Sequence, residues 1–156
     1  MLKIFVNRIK NKKAKVLVVG LGYVGAPLVN LISSKNFKVC GLDLNKKKIK
    51  KLKEKYKKID FFNNYKDINF ELIDIIIIAL PTPIDKKNNP DLKSITSCVS
   101  ELVKKISNSK LIILESTSYP STTKNLIVNP FSKKFDIGKN FFVGYSPERE
   151  DPGNKK

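Results

Sequence analysis

The sequence predicts an α/β fold: a doubly wound parallel sheet with helices on both faces, in a single domain. Three observations carry that reading. Short apolar runs of strand composition alternate along the chain with segments of helical periodicity. The run LIDIIIIALP, Leu72 to Pro81, has the β-branched composition of a strand buried on both faces of a parallel sheet. The hexapeptide Gly20-Leu21-Gly22-Tyr23-Val24-Gly25 closes an apolar run and opens a helical pattern. A length of 156 residues suits one such domain with a proper core.

The elements follow in order. Leu2, Phe5, Val6 and Ile9 fall on one helical face and predict a short amphipathic helix. We take residues 1–13 as an N-terminal extension built on it and residues 14–156 as the main domain. KVLVVG, Lys15 to Gly20, is a buried strand ended by glycine. A helix follows from about Val24 to Ser34, with Pro27 acceptable only in its first turn. FKVCGLD, Phe37 to Asp43, is the second strand. Lys46 to Lys58 is a helix, since Ile49, Leu52, Tyr56 and Ile59 recur at its spacing. Phe61 and Phe62 mark a weak short strand. After the LIDIIIIALP strand, PTPIDKKNNP is a loop by its prolines and asparagines. Asp91 is placed to cap a helix reaching about Ser107. KLIILEST, Lys110 to Thr117, is a strand; Thr122 to about Asn129 is a short helix; NFFVGYS, Asn140 to Ser146, is the last strand.

Composition excludes several function classes. The chain has no histidine and no tryptophan, which removes the commonest general base and the commonest zinc ligand. Cys40 and Cys98 are too few for a metal cluster or a disulfide framework, so both are expected as buried free thiols and no metal site is expected. The formal charge of +17 raises the question of a nucleic-acid or anionic-membrane partner. The lysines spread along helix faces, densest in KKKIKKLKEKYKK, and are read as solvated faces. No basic–aromatic interleaving supports nucleic-acid binding. The N-terminus lacks the apolar run of a signal peptide, and the longest apolar run is too short to span a membrane. A cytoplasmic protein without nucleic-acid or membrane partners is expected.

In an open parallel sheet, ligands bind beyond the carboxyl ends of the strands. The segments there are GLGYVG, Asp43-Leu44-Asn45, PTP, EST and SPERE. The glycine hexapeptide matches the G-x-G-x-x-G of a Rossmann-like dinucleotide site in its proper setting, between strand and helix. Gly20 permits the tight turn, Gly22 lets a pyrophosphate approach the backbone, and Gly25 lets helix and strand pack closely. The helix amino end supplies N–H donors. Asp43 ends the second strand, where an acid takes the ribose 2′-OH and favours NAD over NADP; Lys46 to Lys48 lie near enough to weaken that preference. The blander alternative makes the glycines a tight turn and Asp43 a helix cap.

GLGYVGAPL, LPTP, ESTSYPSTT and GYSPEREDPGN, in that order, resemble the NAD-binding half of the UDP-glucose/GDP-mannose dehydrogenase family. The likeness runs from about Ala14 to Asn154 and is strongest to the branch of UDP-N-acetylglucosamine 6-dehydrogenases. That family oxidises the C6 alcohol of a nucleotide sugar to a carboxylate with two NAD in succession. Its catalytic cysteine carries the aldehyde as a thiohemiacetal and then a thioester, which water releases. The resemblance implies NAD contacts at Gly20, Gly22, Tyr23, Val24, Gly25 and Asp43, and at the loop Leu80, Pro81, Thr82 and Pro83. It implies Ser116 and Thr117 near the nicotinamide, with Thr117 holding water or the reacting group. It assigns Glu148 to proton transfer or thioester hydrolysis, and matches Arg149 to the SPER signature of the N-acetylhexosamine branch, where a guanidinium is suited to bind an anionic product. Asp85, Glu115, Glu150 and Asp151 are read as surface or capping groups.

There are departures. The family is more than twice as long, and its nucleophilic cysteine, its catalytic lysine and asparagine, its UDP-sugar pocket and its dimer-forming central helix match nothing here. Neither VCGLD nor TSCVS has the glycine-rich setting of the nucleophile. Ser121 stands where the family has glycine, which is a strained position if φ is positive there. The expectation is therefore the cofactor domain of a polysaccharide-precursor dehydrogenase, not active by itself. The alternatives are a stand-alone NAD-binding module and, behind it, a basic nucleic-acid-binding protein.

Overall fold

The computed structural model of the chain describes residues 2–84 and 89–148. Six strands form one sheet: β1 Lys15–Val19, β2 Lys38–Leu42, β3 Asp60–Phe62, β4 Ile75–Ile78, β5 Leu111–Leu114 and β6 Phe142–Tyr145. Their order is β3-β2-β1-β4-β5-β6, and every pairing is parallel. The chain runs outward from β1 to β3, crosses back, and runs outward again from β4 to β6. The expected doubly wound fold is thus present, and its direction reverses between β1 and β4.

Alternation along the strands sorts the core into two layers. Leu17, Val19, Cys40, Leu42, Ile76, Ile78, Ile112 and Leu114 face helix α4, Lys93–Lys105, which presents Ile95, Cys98, Val99 and Leu102. Ile127, Phe131 and Phe141 join that layer, with Ile68, Phe70, Ile73 and Ile106; Phe131 and Phe141 stack at 4.6 Å between ring centroids. Val16, Val18, Val39, Ile75 and Ile77 face the other way, onto Val29 of α2, Gly25–Ser34, and Ile49 of α3, Lys46–Lys55. Cys40 and Cys98 are buried free thiols, as expected.

The amphipathic N-terminal helix forms as α1, Leu2–Lys10. It lies on the β4–β6 part of the second face. Phe5 stacks on Phe142 at 6.0 Å, and Ile9 packs into the layer of Val16 and Ile75. Arg8 holds it there: its Nε donates to Asp74 Oδ1 at 3.0 Å and its Nη2 to Asp74 Oδ2 at 2.8 Å, a two-pronged pair. Asp74 also accepts from the Lys15 N–H, at 2.8 Å.

Several boundaries differ from the sequence expectation. The LIDIIIIALP strand shrinks to Ile75–Ile78, because Asn69 caps a short 3₁₀ turn over Phe70–Leu72 and that turn claims the beginning of the run. Helix α3 stops at Lys55, and its cap is Asn45, whose side chain accepts from Lys48 N–H. The cap position of α4 is Leu92; Asp91 stands one residue further out and accepts from the Lys93 N–H at 2.9 Å. The helix expected from Thr122 is a π-helical turn, Lys124–Val128, that runs into α5, Asn129–Ser132. The lysines of α3 are exposed apart from the half-buried Lys48, as a solvated face requires.

Ser121 has φ +72°, so the residue that replaces glycine does sit in the left-handed region. Ser121→Gly is expected to raise stability by about 1 kcal/mol, read as a higher thermal midpoint.

Lys110 is buried at the entry to β5, and its ammonium donates to the Ile73 carbonyl. Burial pushes its pKa down from 10.5 to about 8, against the pull of Asp74 and Glu71. The unfolded chain therefore holds this proton more tightly than the folded one. Stability is lowered at neutral pH and is regained as pH rises from about 8 to 10.5. The shift corresponds to roughly 3 kcal/mol. Lys110→Met is expected to gain about 1–3 kcal/mol at pH 7, less what the lost bond to Ile73 costs. Urea unfolding at pH 7.5 and 10 should show that gain shrinking. The Cys40 and Cys98 thiols, pushed up to about 11 by burial, act in the opposite sense at alkaline pH in both proteins. The wild-type-minus-variant difference is therefore the quantity to read.

Candidate functional site

Where the winding reverses, the loops after β1 and β4 part and leave a crevice at the carboxyl edge. A cavity of about 840 Å³ opens there, within the range of cofactor sites. Its walls come from the glycine loop, from Leu42 to Leu44 with Lys48, from Ala79 to Thr82, from one face of α4, and from Glu115 to Thr117 with Glu148.

The glycine loop has the form that its spacing predicts. Gly20 turns at φ +89°, and a β-carbon there would lie 2.5 Å from the Ala79 carbonyl oxygen. Its N–H donates to Leu42 O at 2.8 Å, and Ala79 N–H donates to Val19 O at 2.8 Å, so the turn is tied to both neighbouring strands. A β-carbon on Gly25 would overlap the Gly20 carbonyl oxygen, so α2 comes as close to β1 as a glycine allows. Gly22 is the reverse case: beyond its own two chain neighbours, nothing lies within 4 Å of where its β-carbon would be. The backbone there faces the open cavity beside the amino end of α2. These residues fit a dinucleotide: one glycine is needed for the turn, one for the helix contact, and one leaves free space where a pyrophosphate would approach.

Asp43 stands just past β2 at the cavity wall. Its Oδ2 accepts from Leu21 N–H at 3.0 Å and from Lys48 Nζ at 2.6 Å, and its Oδ1 accepts from Asn45 N–H at 2.9 Å. Burial alone would raise this carboxyl. The Lys48 hydrogen bond and the two backbone donors outweigh it and hold the group below the usual carboxylate range. Asp43 therefore links glycine loop and helix while remaining charged. Lys48 is a site residue that sequence reading placed only loosely among its neighbours. The signal was its helical position, one turn in from Asn45 and on the same side as Asp43.

Leu80, Pro81 and Thr82 line the opposite wall. The Thr82 hydroxyl donates to the Thr117 carbonyl at 2.8 Å, joining the loops after β4 and β5. Pro83 is not among the cavity-lining residues; its carbonyl accepts from Asp91 N–H at 2.7 Å and so shapes the loop from behind. Ser116 is buried, and both its N–H and its hydroxyl are directed at Ile78 O. Thr117 is exposed at the cavity mouth, as are Tyr23 and Glu148. Glu148 N–H donates to the Glu115 carbonyl at 3.2 Å, which brings the SPE segment over the end of β5. Thr117 and Glu148 thus meet in one crevice. Arg149 lies outside the described residues, as do Asp85, Glu150 and Asp151.

Glu115 corrects its reading as a surface group. It is half-buried and lines the cavity, and burial, then the charge of Glu148, raise its pKa. On α4, the cavity is also lined by Lys93, Ser94, Ser97, Cys98 and Glu101, which periodicity alone read as a helix face. Among the described residues no group of acids and thiols is placed to hold a metal, and no helix is long and apolar enough to cross a membrane.

Comparison with known proteins agrees with this geometry. The model of the UDP-glucose/GDP-mannose dehydrogenase family, NAD binding domain, matches residues 14–156. The chain is 42% identical to protein CapL of Staphylococcus aureus over 154 residues, covering 90% of this chain and 36% of that protein. It is 34% identical to a UDP-N-acetyl-D-glucosamine 6-dehydrogenase of Pseudomonas aeruginosa over 162 residues, covering 93% and 37%. The solved structure of a UDP-D-ManNAc dehydrogenase from Pyrococcus horikoshii superposes with a TM-score of 0.78 at 26% identity, over 89% of this chain and 37% of that one. The chain therefore spans about a third of the length of the curated relatives it matches.

Proposed function

The chain belongs to the UDP-glucose/GDP-mannose dehydrogenase family, as its NAD binding domain, and on that premise we propose that its cleft holds NAD for the oxidation of a UDP-N-acetylhexosamine, or UDP-glucose, at C6. The observation that carries the reading is the pairing of Gly22, open to the cavity, with a charged Asp43 at the end of β2. The pyrophosphate lies over the amino end of α2, and Asp43 accepts from the adenosine ribose. Lys48 orients Asp43. Leu80, Pro81 and Thr82 cover the adenosine side, and the nicotinamide half extends toward Ser116, Thr117 and Glu148. NAD, when bound, supplies the hydride acceptor.

Thr117 and Glu148 are then the residues of this chain nearest the reacting carbon. The Thr117 hydroxyl holds the substrate oxygen or a water. Glu148, exposed at the mouth, acts as the base toward that water. Arg149 follows it in sequence and is suited to an anionic product. The nucleophile and the sugar pocket are assigned to the part of the relatives' length that this chain does not span. The setting is the synthesis of polysaccharide precursors in the cytoplasm.

The test is a fluorescence titration with NADH and NADPH. NADH is expected to bind at least about tenfold more tightly, because a 2′-phosphate would face the Asp43 carboxylate. Asp43→Asn is expected to narrow the ratio, with Lys48 then free to meet the phosphate. Equal affinities in the wild type would overturn the assignment of Asp43.

A further inference from the structure

The cavity has a second side, between the chain after β3 and helix α4. Tyr65 stands there, at the start of a 3₁₀ turn over Tyr65–Asp67. The turn is capped by Asn64, whose side chain accepts from Lys66 N–H at 3.0 Å. On α4, Ser94, Ser97, Cys98 and Glu101 line the same cavity. Their spacing, i, i+3, i+4 and i+7, puts them on one helical face. The Tyr65 hydroxyl and the Cys98 thiol are hydrogen-bonded to each other, which ties the turn to the helix.

The chemistry of this side is apolar with a polar edge. Leu42, Leu44 and Leu80 supply the apolar surface. The acid of the α4 face is Glu101, whose Oε1 accepts from Lys104 Nζ at 2.9 Å. That hydrogen bond, then the charges of Lys104, Lys105 and Lys66, hold the carboxyl below the usual carboxylate range. Glu101 is therefore ionised at neutral pH and can only accept hydrogen bonds; Lys104 takes one of its acceptor positions and leaves others. Hydroxyls such as those of Ser94 and Ser97 can donate or accept, so they suit a ligand edge of either kind. An i,i+3 pair with lysine is common on a solvated helix. Glu101 is set apart because it lines the cavity, in line with the two serines.

The cofactor has a group of matching chemistry. With the adenosine ribose at Asp43, at the end of β2, and the nicotinamide half directed toward β5 and β6, the base on that ribose is left with the β3–α4 side. Adenine is a flat ring with two apolar faces and an amino group on its edge that donates hydrogen bonds. We propose that Glu101 reads the amino edge of the adenine ring, so that the cleft selects a dinucleotide with a 6-aminopurine over its 6-oxopurine counterpart. The inference rests on the NAD reading of the cleft and adds a base-specific contact to the ribose contact of Asp43. A 6-oxopurine presents a carbonyl oxygen where adenine has its amino group, and that oxygen faces a carboxylate with no hydrogen between them.

Fluorescence titration with NADH and with its reduced hypoxanthine analogue, on the wild type and Glu101→Gln, tests it. The wild type is expected to bind NADH about five- to tenfold more tightly. In Glu101→Gln the preference should shrink to within about twofold, because the amide can turn its NH₂ toward the carbonyl. The Glu101 side chain lies partly in water, so the variant should melt as the wild type does. Equal affinities in the wild type, or an undiminished preference in the variant, would refute the reading of the base while the NAD site stands. If neither dinucleotide binds at millimolar concentration, the NAD reading fails and takes this inference with it. Displacement of bound NADH by AMP and by IMP repeats the comparison on the wild type alone. AMP should compete more strongly, and equal competition would also refute the contact.

Discussion

Gly25→Ala is expected to cost the fold about 3 kcal/mol and to lower the thermal midpoint by roughly 10 °C. The cause is local: the added β-carbon would overlap the Gly20 carbonyl oxygen, and the Val18 side chain closes the space at 3.4 Å. Neither neighbour moves freely. Gly20 is held by its bond to Leu42 O, and its own β-position is already blocked by Ala79. Helix α2 would have to lift from β1, exposing Val29, which is wholly buried against the sheet. Because that shift also displaces the helix amino end, nucleotide affinity should fall with stability. A melting curve unchanged from wild type would show that the loop is looser than described.

Gly22→Val is expected to separate the two effects. With nothing beyond its chain neighbours within 4 Å of the added β-carbon, the fold should keep its thermal midpoint to within about a degree or two. Dinucleotide affinity should nevertheless drop on the order of a hundredfold, since the isopropyl group fills the space through which the pyrophosphate approaches the backbone. The pair of variants is informative because the two glycines lie three positions apart in one motif. If Gly22→Val melts early, its surroundings are more crowded than described. If it binds NADH as the wild type does, the pyrophosphate does not pass over Gly22.

Local pattern made most of the fold legible. The β-branched run around Ile75–Ile78 and the spacing of Ile49, Leu52 and Tyr56 each pointed to the element that forms, because burial on one or two faces leaves a period in the sequence. What local pattern missed depends on residues distant in sequence. The start of LIDIIIIALP yields to a turn capped by Asn69, and Asp74 is bound by Arg8 from α1, 66 positions earlier. The same holds at the site. The glycine spacing and Asp43 were readable since strand, turn, helix and strand follow one another directly. Glu115 was not, because Glu148, whose charge acts on it, is brought beside it only by the pairing of β5 with β6. Lys110 gave no sign of burial either, since a lysine at the edge of an apolar run reads as the end of a strand exposed to solvent.

The claim that most depends on measurement is that this crevice binds NAD. Titrating the ¹⁵N-labelled chain with NAD⁺ and following backbone amides by NMR addresses it residue by residue. The account predicts saturable shifts at Gly20 through Gly25, Asp43 and Leu44, Leu80 and Thr82, Glu115 through Thr117, and Glu148. Shifts gathered instead on the lysine face of α3, or none at several millimolar NAD⁺, would contradict it.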